Sequence, residues 1–430
     1  MSTLSHSPLL RMIRCVHLPF TAIINQALIT RGLLALSLVS SATPLCVWAD
    51  VAETTTDRVI VPVDSEAFVF SPGNWTGDDD RSGHVFRQTW NPGAYFRVTW
   101  ESSAAVSEAS ILLDTSTYTK DTGVPRISYS IDGRWTLNQA CTEEIQIKNL
   151  KGAGRHELCV YLSGSQQQDR WGEPGKSGLN VLRVLGVQLD AQSRPIANSS
   201  DARWALIVGD SITEGIGASP LLSYSYLVGQ ALRRIGWEYG VSACGWSGWL
   251  NKGDQPPGDV PGYYVISGSK DGVGGSYHDE LSRWNKIDGN NHSLLDSQGR
   301  ISGHGELNQE PSLILINYGP NDTLHRSDPS DTRASIVQAL AALRRSAPEA
   351  HIVLIIPFGQ YYADALQQSV VLHQQDHPAD DKIAIIDLGV EAKNAIYSDN
   401  SPYGGLHPND RGCANFAAQI IAELVTLLNQ

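Results

Sequence analysis

Near residue 201 the hydrophobic period of the chain changes, and any fold that fits the sequence must change with it. Upstream, from Asp50 to about Ser200, short runs alternate or stay apolar over strand lengths: Tyr95–Trp100, Ser110–Asp114, Arg126–Ile131, Glu144–Ile147 and His156–Leu162. Turn signals such as Asn91-Pro92-Gly93, Asp132-Gly133 and Lys151-Gly152 separate them, and no helical period of useful length intervenes. That pattern predicts an all-β sandwich, jelly-roll-like. Downstream, Ala205–Val208, Tyr239–Ala243, Leu313–Asn317, His351–Ile356 and Ile383–Asp387 are contiguous apolar runs, the mark of strands buried on both faces. Between them, Asp331–Ser346 sets Ile336, Val337, Leu340 and Leu343 on one helical face, with Asp331 as N-cap. The last segment does the same with Ala417, Ile420, Ile421, Leu424 and Leu428. Strands alternating with helices predict an α/β layer with a doubly wound, mostly parallel sheet.

The polar, irregular stretch Gln192–Ser200 is the natural connection, so the chain divides into residues 50–200 and 201–430. Asn251–Pro311, rich in Gly, Pro, Asp and Ser, is too long for a mere connection and is read as a functional insertion beside a site. Residues 1–49 have the form of an export signal. Arg11, Arg14 and Arg31 are their only charges, Leu33–Val39 is a short apolar core, and Val47-Trp48-Ala49 ends on a small residue. That core falls short of the roughly 20 residues a membrane span needs, which argues against an uncleaved anchor. Met12 is an alternative start, and Thr43-Pro44-Leu45 before Cys46 is a poor lipidation context.

A formal net charge of −13 without basic clusters speaks against nucleic acid or an anionic membrane surface as partner. Beyond the leader, Cys141, Cys159, Cys244 and Cys413 remain for an oxidising compartment. Cys141 and Cys159 sit in neighbouring strands and are candidates for a bridge; Cys244 and Cys413 either pair or are small buried residues. Trp75, Trp90, Trp100, Trp135 and Trp171 offer stacking faces for sugar rings, but the majority are assigned to the core.

Chemistry gathers just past the apolar runs of the second half. Gly209-Asp210-Ser211 follows the first. Cys244-Gly245-Trp246-Ser247-Gly248-Trp249 follows the second, and Gly319-Pro320-Asn321-Asp322 the third. Gly404-Gly405-Leu406-His407-Pro408 opens the last helix. All four therefore fall at one edge of one sheet, where ligands bind in such folds. The residue types suit acyl transfer: Ser211 as nucleophile and His407 as base. The backbone N–H of Ser211, a glycine N–H and the Asn321 amide supply donors for an oxyanion. No metal or cofactor is required.

These four blocks, in this order, resemble those of the SGNH (GDSL-type) hydrolase superfamily from about Arg203 to the C-terminus. The resemblance implies a three-layer α/β/α sandwich, with Ser211 as nucleophile, His407 as base and Asn321 in the oxyanion hole. Its oxyanion glycine falls on Gly245 or Gly248, with Gly245 preferred because it comes first after the strand. The family usually has an aspartate three residues before the histidine, where this chain has Gly404. A backbone carbonyl or another acid such as Asp399 then orients His407. A β-sandwich ahead of such a domain is similar to the layout of family 2 carbohydrate esterases. It implies an exported esterase that removes O-acetyl or other small acyl groups from a polysaccharide or oligosaccharide. A transferase using the same acyl-enzyme, and a carbohydrate-binding protein that kept the fold, are the alternatives.

Three other signals are set aside. Gly172-Glu173-Pro174-Gly175-Lys176-Ser177 lacks the leading glycine of a phosphate loop, since Arg170 stands there. His373 and His377 are one turn apart but lack the glutamate and third ligand of a zinc site. No Gly-x-Ser-x-Gly elbow occurs, which excludes the α/β-hydrolase arrangement. Trp246, Trp249 and Trp284 either line a sugar cleft or cover the site structurally.

Overall fold

The computed structural model describes residues 58–79, 85–119, 123–166, 179–198, 202–250, 284–287, 292–303, 309–390 and 406–428. The leader, Trp171, the phosphate-loop look-alike, most of Asn251–Trp284, Asp399 and Gly404 lie outside the described residues.

The first half forms two antiparallel sheets. Its strands in chain order are β1 (Val59–Pro62), β2 (Phe68–Phe70), β3 (Thr76–Asp79), β4 (Val85–Thr89), β5 (Tyr95–Ser102) and β6 (Val106–Asp114). They continue with β7 (Arg126–Ile131), β8 (Arg134–Ala140), β9 (Glu144–Lys151), β10 (Gly154–Gly164), β11 (Leu182–Leu189) and β12 (Ser193–Pro195). One sheet runs β3-β4-β11-β6-β9 with β1 also on β11; the other runs β12-β5-β10-β7-β8 with β2 also on β5. Asp132 and Gly133 both take positive φ between β7 and β8, the type I′ geometry that an Asp-Gly pair favours in a two-residue hairpin. Phe96, Val98, Trp100, Ile111, Leu113, Leu158, Val160, Val184 and Val187 fill the space between the sheets. Burying each such side chain contributes roughly 1.5–3 kcal/mol before entropy is counted. The stretch expected to be an irregular connection carries β12, which pairs with β5, so it is held to the sandwich.

The second half has five parallel strands, β13 (Trp204–Gly209), β14 (Glu238–Ala243), β15 (Leu313–Asn317), β16 (His351–Ile356) and β17 (Ile383–Asp387), in the order β14-β13-β15-β16-β17. Its helices are α1 (Ser211–Glu214), α2 (Tyr224–Arg234), α3 (Pro320–Leu324), α4 (Pro329–Ser346), α5 (Ala363–Asp376) and α6 (Asp410–Leu427). Alternate strand residues feed two cores. Ala205, Ile207, Leu313, Leu315, Val353 and Ile355 face one side, with α2 and α6 residues such as Leu232, Phe416 and Ile420. Leu206, Val208, Ile314, Ile316, Ile352 and Leu354 face the other, with Ile336, Leu340 and Leu366 of α4 and α5. This is the expected α/β/α arrangement. The cap of α4 differs from expectation: Asp328, not Asp331, accepts the first N–H groups, and Pro329 occupies the first turn where its missing N–H costs nothing.

The outer face of the second sandwich sheet is not free. Tyr95, Cys159 and Tyr161 project from it into the core that holds Tyr226, Tyr239 and Leu232. Edge strand β14 is closed by sandwich side chains. Asn74 Oδ1 accepts from Val241 N at 3.1 Å while its Nδ2 donates to Val241 O at 2.7 Å, as a paired strand would. Two residues earlier, Tyr239 N donates to Tyr95 Oη at 3.2 Å. A Cβ at Gly240 would sit 2.0 Å from Pro72 O, so only glycine allows this approach. Beneath the contact, buried Glu238 accepts from Tyr95 Oη and Arg97 and lies 3.9 Å from Arg233.

All four cysteines among the described residues are buried free thiols. Cys141 lies in the sandwich core while Cys159 faces the α/β half, so the bridge considered above would have to pass through a sheet. Trp75, Trp90 and Trp100 are core, whereas Trp135 on β8 is 44% exposed. No helix of the described residues is long and apolar enough to cross a membrane.

Candidate active site

The direction of the strand order reverses between β13 and β15, and the crevice at such a switch point opens beyond the carboxyl ends of both strands. Ser211 follows β13 directly and Asn321 lies one short turn past β15. Gly209 makes the first turn possible, because a Cβ there would meet Thr213 Oγ1 at 1.9 Å. Asp210 then caps α1, its Oδ1 accepting from Ile212 N at 2.9 Å. The cap leaves Ser211 as the first helical residue, partly exposed in the crevice, with its N–H among the donors a helix start leaves unbonded.

His407 reaches the same point from the segment before α6. Its Nε2 lies 2.8 Å from Ser211 Oγ, the distance of a nucleophile–base hydrogen bond. The imidazole is 2% exposed, and this burial pushes its pKa down to about 4. It is therefore the neutral, proton-accepting form at neutral pH. Gly217, with φ +92°, runs under the histidine so closely that a Cβ would be 2.8 Å from both His407 Cβ and Pro408 O. The loop carrying Gly217 is tied down by Asp410, which accepts from Ser219 N at 2.6 Å and Ser219 Oγ at 2.8 Å. The sequence reading missed this brace; its signal was the Gly215-Ile216-Gly217 run just past the serine.

Asn321 is buried, presented by Gly319, whose φ of +132° suits glycine, and by Pro320 in the first turn of α3. Its Nδ2 donates to Ser247 O at 2.8 Å and lies 3.3 Å from Asp210 Oδ2. Burial, with the nearby Glu214 and Asp322 carboxylates, pushes Asp210 up to about 8. The loop after β14 thus comes against Asn321. Within it, Trp246 holds φ +64°, a left-handed conformation uncommon for an aromatic residue. Gly245 lies in the turn before it and Gly248 beside the carbonyl held by Asn321. Trp249 and Trp284 are buried at 0% and 1% in the core on the α4 and α5 side of the sheet; Trp246 alone of the three is partly exposed.

The structure thus brings together Ser211, His407, Asn321 and the Gly245–Gly248 loop. His373 and His377 stack on each other elsewhere, with His373 Nε2 3.0 Å from Asp380, which also binds Arg344. They form a structural contact. Among the described residues no group of three or more His, Cys, Asp or Glu has the arrangement of a metal site.

Residues 207–414 match the model of the GDSL-like Lipase/Acylhydrolase family. No curated protein matches the chain in sequence. Among solved structures it is similar to a family two carbohydrate esterase from Clostridium thermocellum in complex with cellohexaose, at 15% identity and TM-score 0.57, covering 84% of this chain and 99% of that one. It is similar to an acetyl xylan esterase from the rumen bacterium Butyrivibrio proteoclasticus, at 14% identity and TM-score 0.59, covering 86% and 99%. A salicylyl-acyltransferase from a tetracycline biosynthetic pathway aligns at 15% identity and TM-score 0.55, covering 86% and 97%. At these identities the likeness is one of fold, and its coverage takes in both halves of the chain.

Proposed function

We propose that the chain, whose residues 207–414 match the GDSL-like lipase/acylhydrolase model, is an exported esterase removing O-acetyl groups from a polysaccharide or oligosaccharide. The observation that carries the reading is the 2.8 Å contact between Ser211 Oγ and a buried, neutral His407 beside Asn321. Ser211 Oγ attacks the ester carbonyl carbon while its proton passes to His407 Nε2. The negative oxygen of the tetrahedral intermediate rests on the Ser211 N–H, the Asn321 amide and a glycine N–H of the second loop. Collapse breaks the bond to the sugar oxygen, which takes the proton from His407 and departs as a free hydroxyl. Water then attacks the acetyl-serine carbonyl, giving its proton to His407, and acetate leaves with Ser211 restored. The two-domain likeness to carbohydrate esterases supports a sugar ester as substrate. The leader of residues 1–49 supports export.

The test is acetate release from p-nitrophenyl acetate and from acetylated glycans by the mature protein, with Ser211→Ala and His407→Ala alongside. Each variant should lose at least about a hundredfold in kcat, the loss expected of a nucleophile or base. An inert parent, or a Ser211→Ala variant as active as the parent, overturns the reading. The likeness to an acyltransferase favours one second reading, in which the acetyl group passes to a sugar hydroxyl. Acetylated acceptor formed faster than free acetate, with sugars and water competing, would establish it.

A further inference from the structure

We propose that Asp322 is a positioning residue that sets the oxyanion hole by fixing the backbone of the loop after β14. The inference rests on the esterase reading above. Asp322 is fully buried at the start of α3. Its two carboxylate oxygens are spent on consecutive backbone groups: Oδ2 accepts from Trp249 N at 2.7 Å and Oδ1 from Leu250 N at 2.8 Å. Its chain neighbour Asn321 holds the other side of the same loop through Ser247 O at 2.8 Å. Ser335 Oγ, from α4, donates to Trp249 O. Gly248 is thus bracketed by fixed peptide groups on both sides, all tied to one short helix or the helix that follows.

Elementary amide geometry gives this bracket a purpose. The Asn321 amide is planar, and its two N–H bonds diverge by about 120°. One is directed to Ser247 O. The other faces Asp210 Oδ2 at 3.3 Å, so Asn321 ties the loop after β14 to the residue before Ser211. The charged acceptor makes the clamp strong, since carboxylate–N–H bonds are stronger than neutral ones. An oxyanion hole works through donors already in place before the charge develops.

The experiment compares the parent with Asp322→Asn and Asp322→Ala. Asparagine keeps the shape but sets an NH2 against a backbone N–H; alanine removes both acceptors. For Asp322→Asn we expect kcat to fall by about 10- to 100-fold with KM within about twofold, the signature of donors misplaced in the transition state. Affinity for phenylboronic acid, which forms a tetrahedral anion on a catalytic serine, should fall by a similar factor. Hydrogen exchange at residues 247–250 should accelerate while the core strands stay protected. Asp322→Ala should lose more of each. An active parent whose folded Asp322→Asn variant keeps its kcat, or loses kcat with boronate affinity unchanged, removes this proposal and leaves the esterase reading standing. A parent inert toward esters removes both.

Discussion

The His407 imidazole offers a test in which acid alone is the perturbation. In the unfolded chain it titrates near 6.5, whereas burial holds it at about 4 in the folded protein. At pH 5.5 a base with pKa of about 4 is about 97% neutral, and one at about 6.5 is about 9% neutral, so the rates differ about tenfold. The acid limb of kcat/KM, which reports the free enzyme, should therefore fall near 4. Acetate released in timed incubations and assayed after neutralisation measures it across the acid range. Stability must follow the same proton. Above about 6.5 both states are neutral; as the pH falls toward 4 the unfolded chain takes up a proton that the folded chain refuses. The contribution is present above 6.5 and is lost through that window, up to about 3 kcal/mol from a shift of about 2.5 units. Urea unfolding of the parent should show that loss relative to His407→Gln. A limb centred near 6.5 in a protein that circular dichroism shows to be folded would refute the reasoning.

Three further outcomes are expected. Gly217→Ala places a Cβ 2.8 Å from His407 Cβ at φ +92°, so kcat on p-nitrophenyl acetate should drop by at least about tenfold; a variant within twofold of the parent would mean the loop yields. Glu238→Ala removes the buried carboxylate shared by Arg97 and Arg233 at the junction of the two halves, leaving Arg97 only the more distant Glu157, and should cost about 3 kcal/mol in urea unfolding. Cys141, Cys159, Cys244 and Cys413 should stay silent toward a polar thiol reagent until denaturant is added, because all are buried and burial pushes the Cys141 and Cys413 thiols up to about 12.

Strands such as Leu313–Asn317 and His351–Ile356 were legible because both of their faces are covered, so their sequence is apolar without interruption. The strand Arg134–Ala140 was not, because it is an edge with Trp135 and Leu137 exposed and shows no inside–outside alternation. Helix Tyr224–Arg234 escaped notice since its buried face mixes tyrosines, serine and glycine with few aliphatics. In the candidate site, Ser211, Asn321 and His407 could be proposed because each stands in a short motif just past an apolar run and carries chemistry by its residue type. The supports around them could not. Asp322 stood in plain view beside Asn321, but that its partners are backbone N–H groups 72 and 73 residues earlier is a fact of three-dimensional packing. The missing bridge between Cys141 and Cys159 has the same origin, since adjacency of strands does not say which face a residue takes.

The closure of β14 by Asn74 and Tyr95 bears on how such a protein is inherited and handled. A binding module joined by a tether can be exchanged, lost or moved to another enzyme without the catalytic half noticing. Here the sandwich supplies the missing neighbour of a strand, and Gly240 has given up its side chain to let it approach. Released from that partner, the α/β half would present an unpaired edge to every other copy in solution. The two halves therefore form one heritable unit, and a gene cut near residue 201 would yield two fragments that need each other to stay apart from their own kind.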